Sequence, residues 1–246
     1  MILLVDIGNT NTKLKYSSSE EVFSVRTSSK YSSRDLQKLF KDIPKKKVDG
    51  AIISSVVPLL TKPASAFVEK VFSVKPLIVD KTLKSHIKYP MKDEENELGA
   101  DIFSALEASS LVIDTFLNID LGTATTFNLV INNKFMGCAI APGLMTSAKA
   151  LVGDAAQIKA FDYDGTPLLL GFNTTDSVEG GIINGWACIV DGYIRKIKEK
   201  YNLEDLRVFI TGGDSRYILS ELKEKVEPVK GLVFKGLESL FELNRG

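Results

Sequence analysis

The sequence predicts an α/β protein made of two units of similar plan. Three observations carry this reading. Strand-like and helix-like segments alternate along the chain, each half opens on three strands in a row, and the first strand of each half ends in an acid followed by a glycine turn. The 246 residues suit one large domain or two of roughly 120 residues each. The expected division is 1–110 and 111–246.

The elements follow in order. Residues 2–6 form a short apolar run ending in a turn, which suits a strand buried on both faces. Residues 12–16 and 22–25 continue as two more strands of a meander. Residues 33–40 read as a helix, with Ser33 as N-cap and Leu36 and Phe40 on one face. Residues 50–57 are apolar and β-branched, a strand stopped by Pro58. A helix over 61–71, a strand over 76–80, a polar loop over 81–97 and a helix over 98–109 complete the first half. In the second half, 111–120, 125–131 and 134–140 are strands and 143–152 is a helix. A long helix spans 176–200, a strand spans 207–211 and ends at Gly212-Gly213, and a helix spans 215–225.

Composition excludes several classes of function. Hydrophobic residues at 44% and charged residues at 25% are ordinary for a globular protein. Thirty-one basic residues against 31 acidic ones leave no net field to draw the chain onto nucleic acid or an anionic membrane. Neither partner is expected. The longest apolar runs are too short to span a bilayer. The first residues lack the basic region of a signal peptide, and the two cysteines, Cys138 and Cys188, make no disulfide framework or zinc site. A cytoplasmic location is expected.

The chemistry-bearing motif occurs twice. Asp6-Ile7-Gly8-Asn9-Thr10 follows the first strand of one half, and Asp120-Leu121-Gly122-Thr123-Ala124-Thr125-Thr126 follows the first strand of the other. Glycine lets a backbone approach an anion closely. Turn amides and hydroxyls then donate to phosphate oxygens, while the carboxylate holds a cation that neutralises them. Either turn alone would also serve as an ordinary hairpin. The repetition points to phosphate.

These blocks resemble the superfamily of acetate and sugar kinases, heat-shock ATPases and actin, and more narrowly the type III pantothenate kinases. Further matching blocks are Gly99-Ala100-Asp101, Ile140-Ala141-Pro142-Gly143, Asn173-Thr174, Gly181 with Asn184-Gly185, and Thr211-Gly212-Gly213. The resemblance implies two duplicated ribonuclease-H-like domains with an ATP cleft between them. It implies ATP-dependent phosphorylation of the primary hydroxyl of pantothenate, with Mg2+, a monovalent cation (K+ or NH4+) and a homodimer. Carried onto this sequence, Asp6 would bind magnesium, and Gly8, Asn9, Thr10 and Lys13 would meet the phosphates. Asp120 would sit at the monovalent cation, Gly122 and Thr123 at nucleotide phosphate, and Gly212 and Gly213 near the adenosine. Asp101 would take the proton from the acceptor hydroxyl. Gly99, Ala100, Ile102, Tyr89 and Thr174 would lie on the acceptor side.

Several positions depart from the family pattern. Ile102 stands where the family has an arginine, which removes a charge-assisted hydrogen bond worth roughly 1.5–3 kcal/mol. Asn128 stands at the place of an aspartate, Cys138 at that of a glycine, and Ala155-Ala156 at that of a Thr-Ala pair. Lys88 or Lys92 could supply the missing charge. Two other readings stay open on these grounds: a non-catalytic relative that keeps the ATP frame, or a kinase for another small hydroxyl compound. Of the remaining residues, His86, the one histidine, reads as a surface residue without a metal partner. Cys138 and Cys188 read as small buried hydrophobes, Trp186 as core or interface, and the lysines of 41–47 as a solvated end.

Overall fold

The computed structural model describes residues 1–88, 98–154 and 167–245. Its first strand shows why the opening run is apolar on both sides. β1 (Ile2–Ile7) is buried along its whole length at the centre of a five-stranded sheet. β2 (Asn11–Tyr16) pairs antiparallel with it and β3 (Val22–Arg26) extends the meander. On the other side β4 (Gly50–Ser55) runs parallel to β1, followed by β5 (Leu77–Ile78). The order is β3-β2-β1-β4-β5.

One face of this sheet packs on two helices. α1 (Ser33–Leu39) is capped by Ser32, one residue before the expected Ser33: its hydroxyl accepts from Asp35 N while Asp35 Oδ2 accepts from Ser32 N. α2 (Pro58–Phe72) starts at the proline itself, whose missing N–H costs nothing in a first turn. The core here joins Leu3, Val5, Ile7 and Tyr16 to Leu36, Leu60, Phe67 and Phe72. The opposite face is covered by α3 (Ala100–Ser110) and α6 (Leu232–Asn244).

The second sheet repeats the plan. β6 (Phe116–Leu121), β7 (Ala124–Ile131) and β8 (Lys134–Pro142) form the meander, and β9 (Arg207–Thr211) lies parallel to β6, followed by β10 (Glu227–Pro228). Read from β8, the order is β8-β7-β6-β9-β10, the same as in the first sheet. The β7–β8 turn places Asn132 and Asn133 in the left-handed region, at φ 51° and 57°, as a two-residue hairpin requires. α4 (Leu144–Asp154) and α5 (Thr174–Tyr201) follow. Ile183, Trp186, Val190 and Ile194 of α5 pack on Leu117, Ile119 and Ile210, so Trp186 belongs to the core.

Three expectations are corrected. Residues 215–225 are not an α-helix: a 3₁₀ helix covers Gly213–Tyr217. Beyond it, Lys223 N and Glu224 N donate to the buried Asp191 carboxylate at 3.0–3.2 Å, so a side chain of α5 takes donors that a helix would have used internally. Both cysteines are exposed rather than buried. Cys138 points outward on β8 between Met136 and Ile140, and Cys188 lies off the buried stripe of α5. The chain also divides differently. One compact unit joins Met1–Ile113 to the segment beginning at Gly231, and the other is Asp114–Lys230. Residues 232–244, which the expected division put in the second half without marking a helix there, form α6 and belong to the first unit because their apolar face packs on α3, β1 and β4.

α3 and α6 meet where Gly236 lets the backbones touch. A Cβ there would stand 1.6 Å from the Ser104 carbonyl oxygen, and no rotamer can relieve a clash with backbone. Gly236→Ala should lower the urea midpoint by an amount equivalent to about 2–3 kcal/mol. An unchanged midpoint would mean that the two helices slide apart without cost.

Candidate active site

In the first unit the candidate residues gather at the C-terminal ends of β1 and β4. Asp6, the last acid of β1, is buried; Lys13 of β2 stands opposite it and Ser54 of β4 beside it in the ladder. The turn that follows is tight: Gly8 N donates to Asn11 O at 3.0 Å, and a Cβ at Gly8 would press on that oxygen at 3.3 Å. Asn9 and Thr10 are exposed at its tip. Val56 N donates to Ile7 O, which ties the ends of the two parallel strands together.

Gly99 caps the start of α3 and lies against Val56. Asp101 occupies the first turn, and its Oδ1 accepts from Ile102 N at 2.7 Å. The carboxylate folds back so closely that a Cβ on Gly99 would approach Oδ1 to 2.6 Å. A side chain at 99 would therefore push that carboxylate out of its present place. Burial raises the Asp101 pKa above the ordinary carboxylate value, and the N–H groups of Ile102 and Asp101 offset part of that shift. Ala100 and Ile102 share this turn and are half-buried. Tyr89 and Lys92 lie outside the described residues, as do Ala155 and Ala156.

One feature of this unit escaped sequence reading. Glu107 of α3 is fully buried, and its carboxylate accepts from Ser85 Oγ, His86 N and Ser239 Oγ at 2.6–2.9 Å. His86 Nδ1 lies 2.7 Å from the same group, so the exposed histidine has a buried carboxylate as partner. Asn244 of α6 adds two hydrogen bonds to the backbone of Lys84. The segment 84–87 is thereby fastened to α3 and α6.

In the second unit two further pieces of chain, residues 143–146 and 212–214, meet the other acidic turn. Gly122 N donates to Ala124 O at 3.1 Å, closing the β6–β7 hairpin. Thr123 is exposed at its tip, and its carbonyl accepts from Gly143 N at 3.0 Å and from Thr146 Oγ1 at 2.8 Å. A Cβ at Gly143 would stand 2.0 Å from Gly122 O. Gly212 has φ 95°, and a Cβ there would come within 2.5 Å of Asp120 Oδ1. Gly213 beside it faces open space. Asp214 accepts from Met145 N at 3.2 Å, with its pKa raised by burial and partly lowered by that donor. Thr174, the first residue of α5, is exposed behind its N-cap Asn173.

The two acids have different neighbours. Across the first sheet the row is Lys13, Asp6, Ser54; across the second it is Thr126, Asp120, Thr211. Asp6 thus has a lysine opposite, and Asp120 has hydroxyl residues on both sides. Among the described residues no group of three or more His, Cys, Asp or Glu is gathered to hold a metal. A single carboxylate beside a glycine turn is a donor set that suits an ion whose remaining oxygens come with a phosphate ligand. The buried Ser54 hydroxyl, which has no hydrogen-bond partner among the described residues, is a further oxygen beside Asp6. At Asp120, the glycine at 212 leaves room against the carboxylate that a side chain would fill.

The family described as type III pantothenate kinase matches residues 2–196. A type III pantothenate kinase from Acholeplasma laidlawii is 33% identical over 248 residues, covering 99% of both chains. Among solved structures, a Campylobacter jejuni protein described as a Baf family transcriptional activator aligns with TM-score 0.65 at 16% identity, covering 98% of each chain. MreB 5 of Spiroplasma citri aligns with TM-score 0.58 at 10% identity over 98% of this chain and 95% of its own. These two likenesses, like the repeated strand order, show a duplicated ribonuclease-H-like fold of the actin and sugar-kinase kind. On family match and chain-long identity together, the chain belongs to the type III pantothenate kinases, kinases that use ATP and a divalent metal.

Proposed function

We propose that this chain phosphorylates the primary hydroxyl of pantothenate from ATP, in the cytoplasm, at the first step toward coenzyme A. The observation that carries the reading is Asp101, held in the first turn of α3 with a raised pKa, in a chain that matches the family end to end. In the transfer, the acceptor oxygen bonds to the γ-phosphorus as the bond to the β,γ-bridging oxygen breaks, and ADP leaves. Asp101 orients the acceptor hydroxyl and collects its proton. A carboxylate of raised pKa suits that task better than an ordinary one.

The phosphate turns take the nucleotide: Gly8, Asn9, Thr10 and Lys13 in the first unit, Gly122 and Thr123 in the second, with Gly212 and Gly213 beside the adenosine. Magnesium, held by Asp6, would neutralise charge on the transferred phosphoryl oxygens. Asp120 takes a monovalent cation, K+ or NH4+. Its hydroxyl-bearing neighbours support this, since one carboxylate among neutral oxygens suits a singly charged ion. Tyr89, Thr174 and the turn 99–102 remain the acceptor side. Ile102 favours one second reading, a different small hydroxyl compound as acceptor, because an isoleucine cannot bind a carboxylate.

A homodimer completes the proposal. Leu169, Leu170 and Phe172, just before α5, are 75%, 81% and 97% exposed, and Ile189 and Tyr193 add apolar surface on α5 itself. A run of this kind is hard to keep in water.

Purified protein should consume ATP when pantothenate is added and not before; stronger consumption with another hydroxyl acceptor would favour the second reading. Asp101→Asn should reduce turnover to less than about a tenth while leaving nucleotide binding intact. The sign for stability is opposite. A carboxyl whose pKa is raised on folding favours the fold while protonated, and that contribution is lost as pH rises through the raised value. Ionised Asp101 is then a net cost, so Asp101→Asn should melt at or above the parent Tm at neutral pH. Retained turnover would remove Asp101 as the base.

Activity should require potassium or ammonium, and full activity in sodium-only buffer would overturn the role of Asp120. Sedimentation should give a dimer for the parent and a shift toward monomer for Phe172→Asp. A monomeric parent would overturn the homodimer.

A further inference from the structure

Ser54 is a buried hydroxyl for which the fold has no use. It lies on β4, directly beside Asp6 in the parallel ladder, and is 0% exposed. Among the described residues its Oγ has no hydrogen-bond partner. The next residue is a useful contrast. Ser55 Oγ donates to Val57 O at 3.2 Å and accepts from Thr61 Oγ1 at 2.8 Å, so it shapes the entry to α2. Ser54 has no such duty.

An unpaired buried hydroxyl destabilises a fold, and replacing it by an apolar group of similar shape is close to neutral or favourable. Its presence next to the strand-end acid calls for a function. The duplicated plan repeats the arrangement: Thr211 of β9 stands beside Asp120 as Ser54 stands beside Asp6. Each sheet therefore sets a hydroxyl residue on the parallel neighbour of its acid, at the same place in the same strand order. Adjacent strands lie roughly 4.8 Å apart, so a small rotation of either side chain brings hydroxyl and carboxylate into hydrogen-bond range.

We infer that Ser54 is a positioning residue for Asp6: when the divalent cation arrives with nucleotide, its hydroxyl donates to that carboxylate and fixes which oxygen faces the ion. This rests on the proposed role of Asp6 and adds a residue to it. Lys13 on the opposite strand supplies charge, whereas Ser54 supplies direction. No bond is made or broken by Ser54, and it touches neither the acceptor nor the transferred group.

The test uses the full chain and Mn2+ with a non-hydrolysable ATP analogue, with ion binding followed by electron paramagnetic resonance. Ser54→Ala should melt at or above the parent without ligand and bind the Mn2+–analogue pair roughly 3- to 10-fold more weakly, the span of one neutral hydrogen bond. The magnesium activation constant should rise in step while KM for pantothenate stays within about twofold. Asp6→Asn is the reference variant. If it loses Mn2+ binding and Ser54→Ala keeps parent affinity, the Ser54 role is overturned and that of Asp6 stands. If Asp6→Asn keeps parent affinity, both are overturned. A lowered ligand-free Tm in Ser54→Ala would also overturn the inference, because the hydroxyl would then be structural.

Discussion

The position of each acid depends on the burial of the strand that carries it. β1 and β6 are each flanked by an antiparallel strand on one side and a parallel strand on the other. A strand hydrogen-bonded along both edges and covered on both faces cannot slip register without moving its whole apolar set into the wrong layer. Asp6 and Asp120 are therefore fixed along the strand direction by residues that take no part in chemistry, such as Leu3, Val5, Leu117 and Ile119. Only at the C-terminal end, where pairing stops, can a carboxylate and a turn be offered to a ligand.

Glycine then decides how close the surrounding chain can come. At Gly99, Gly143 and Gly212 a Cβ would intrude on a carboxylate or a turn carbonyl. Each of these positions lies beside an element that carries a candidate group: the start of α3, the start of α4 and the end of β9. Crowding explains the glycine at 143, where backbone stands in the way, and the close fit at 99, while Gly212 combines crowding by Leu121 O with a φ of 95° that itself favours glycine. The same logic separates Gly213, which faces open space, from the residue before it.

Much of this was legible in the residues. The two acid–glycine turns, the two meanders and the long helix beginning near Thr174 could be read because their signals are local: an apolar run, a turn dipeptide, an N-cap. What could not be read depends on partners distant in sequence. The apolar spacing of Ile218, Leu219, Leu222 and Val226 suggests a helix, but Asp191, some thirty residues earlier, takes the backbone donors at 223 and 224. Glu107 carries no local sign that Ser85, His86 and Ser239 will surround it. The cysteines misled because an apolar neighbourhood in sequence does not say which side of a strand or helix a residue takes. α6 did leave a signal in Leu237, Leu240 and Phe241, yet its destination in the first unit could not be inferred from order along the chain.

That return of the last helix bears on how the protein is made. Met1–Ile113 precedes α6 in synthesis, so one side of its sheet has α3 but lacks the rest of its cover until residues 232–244 have emerged. Asp114–Lys230, by contrast, is continuous and can complete its core while synthesis is still under way. During that interval Gly50, on the face later met by Phe241, waits without its aromatic neighbour. The unit that opens this sequence thus closes its core only after all of the other unit has been synthesised.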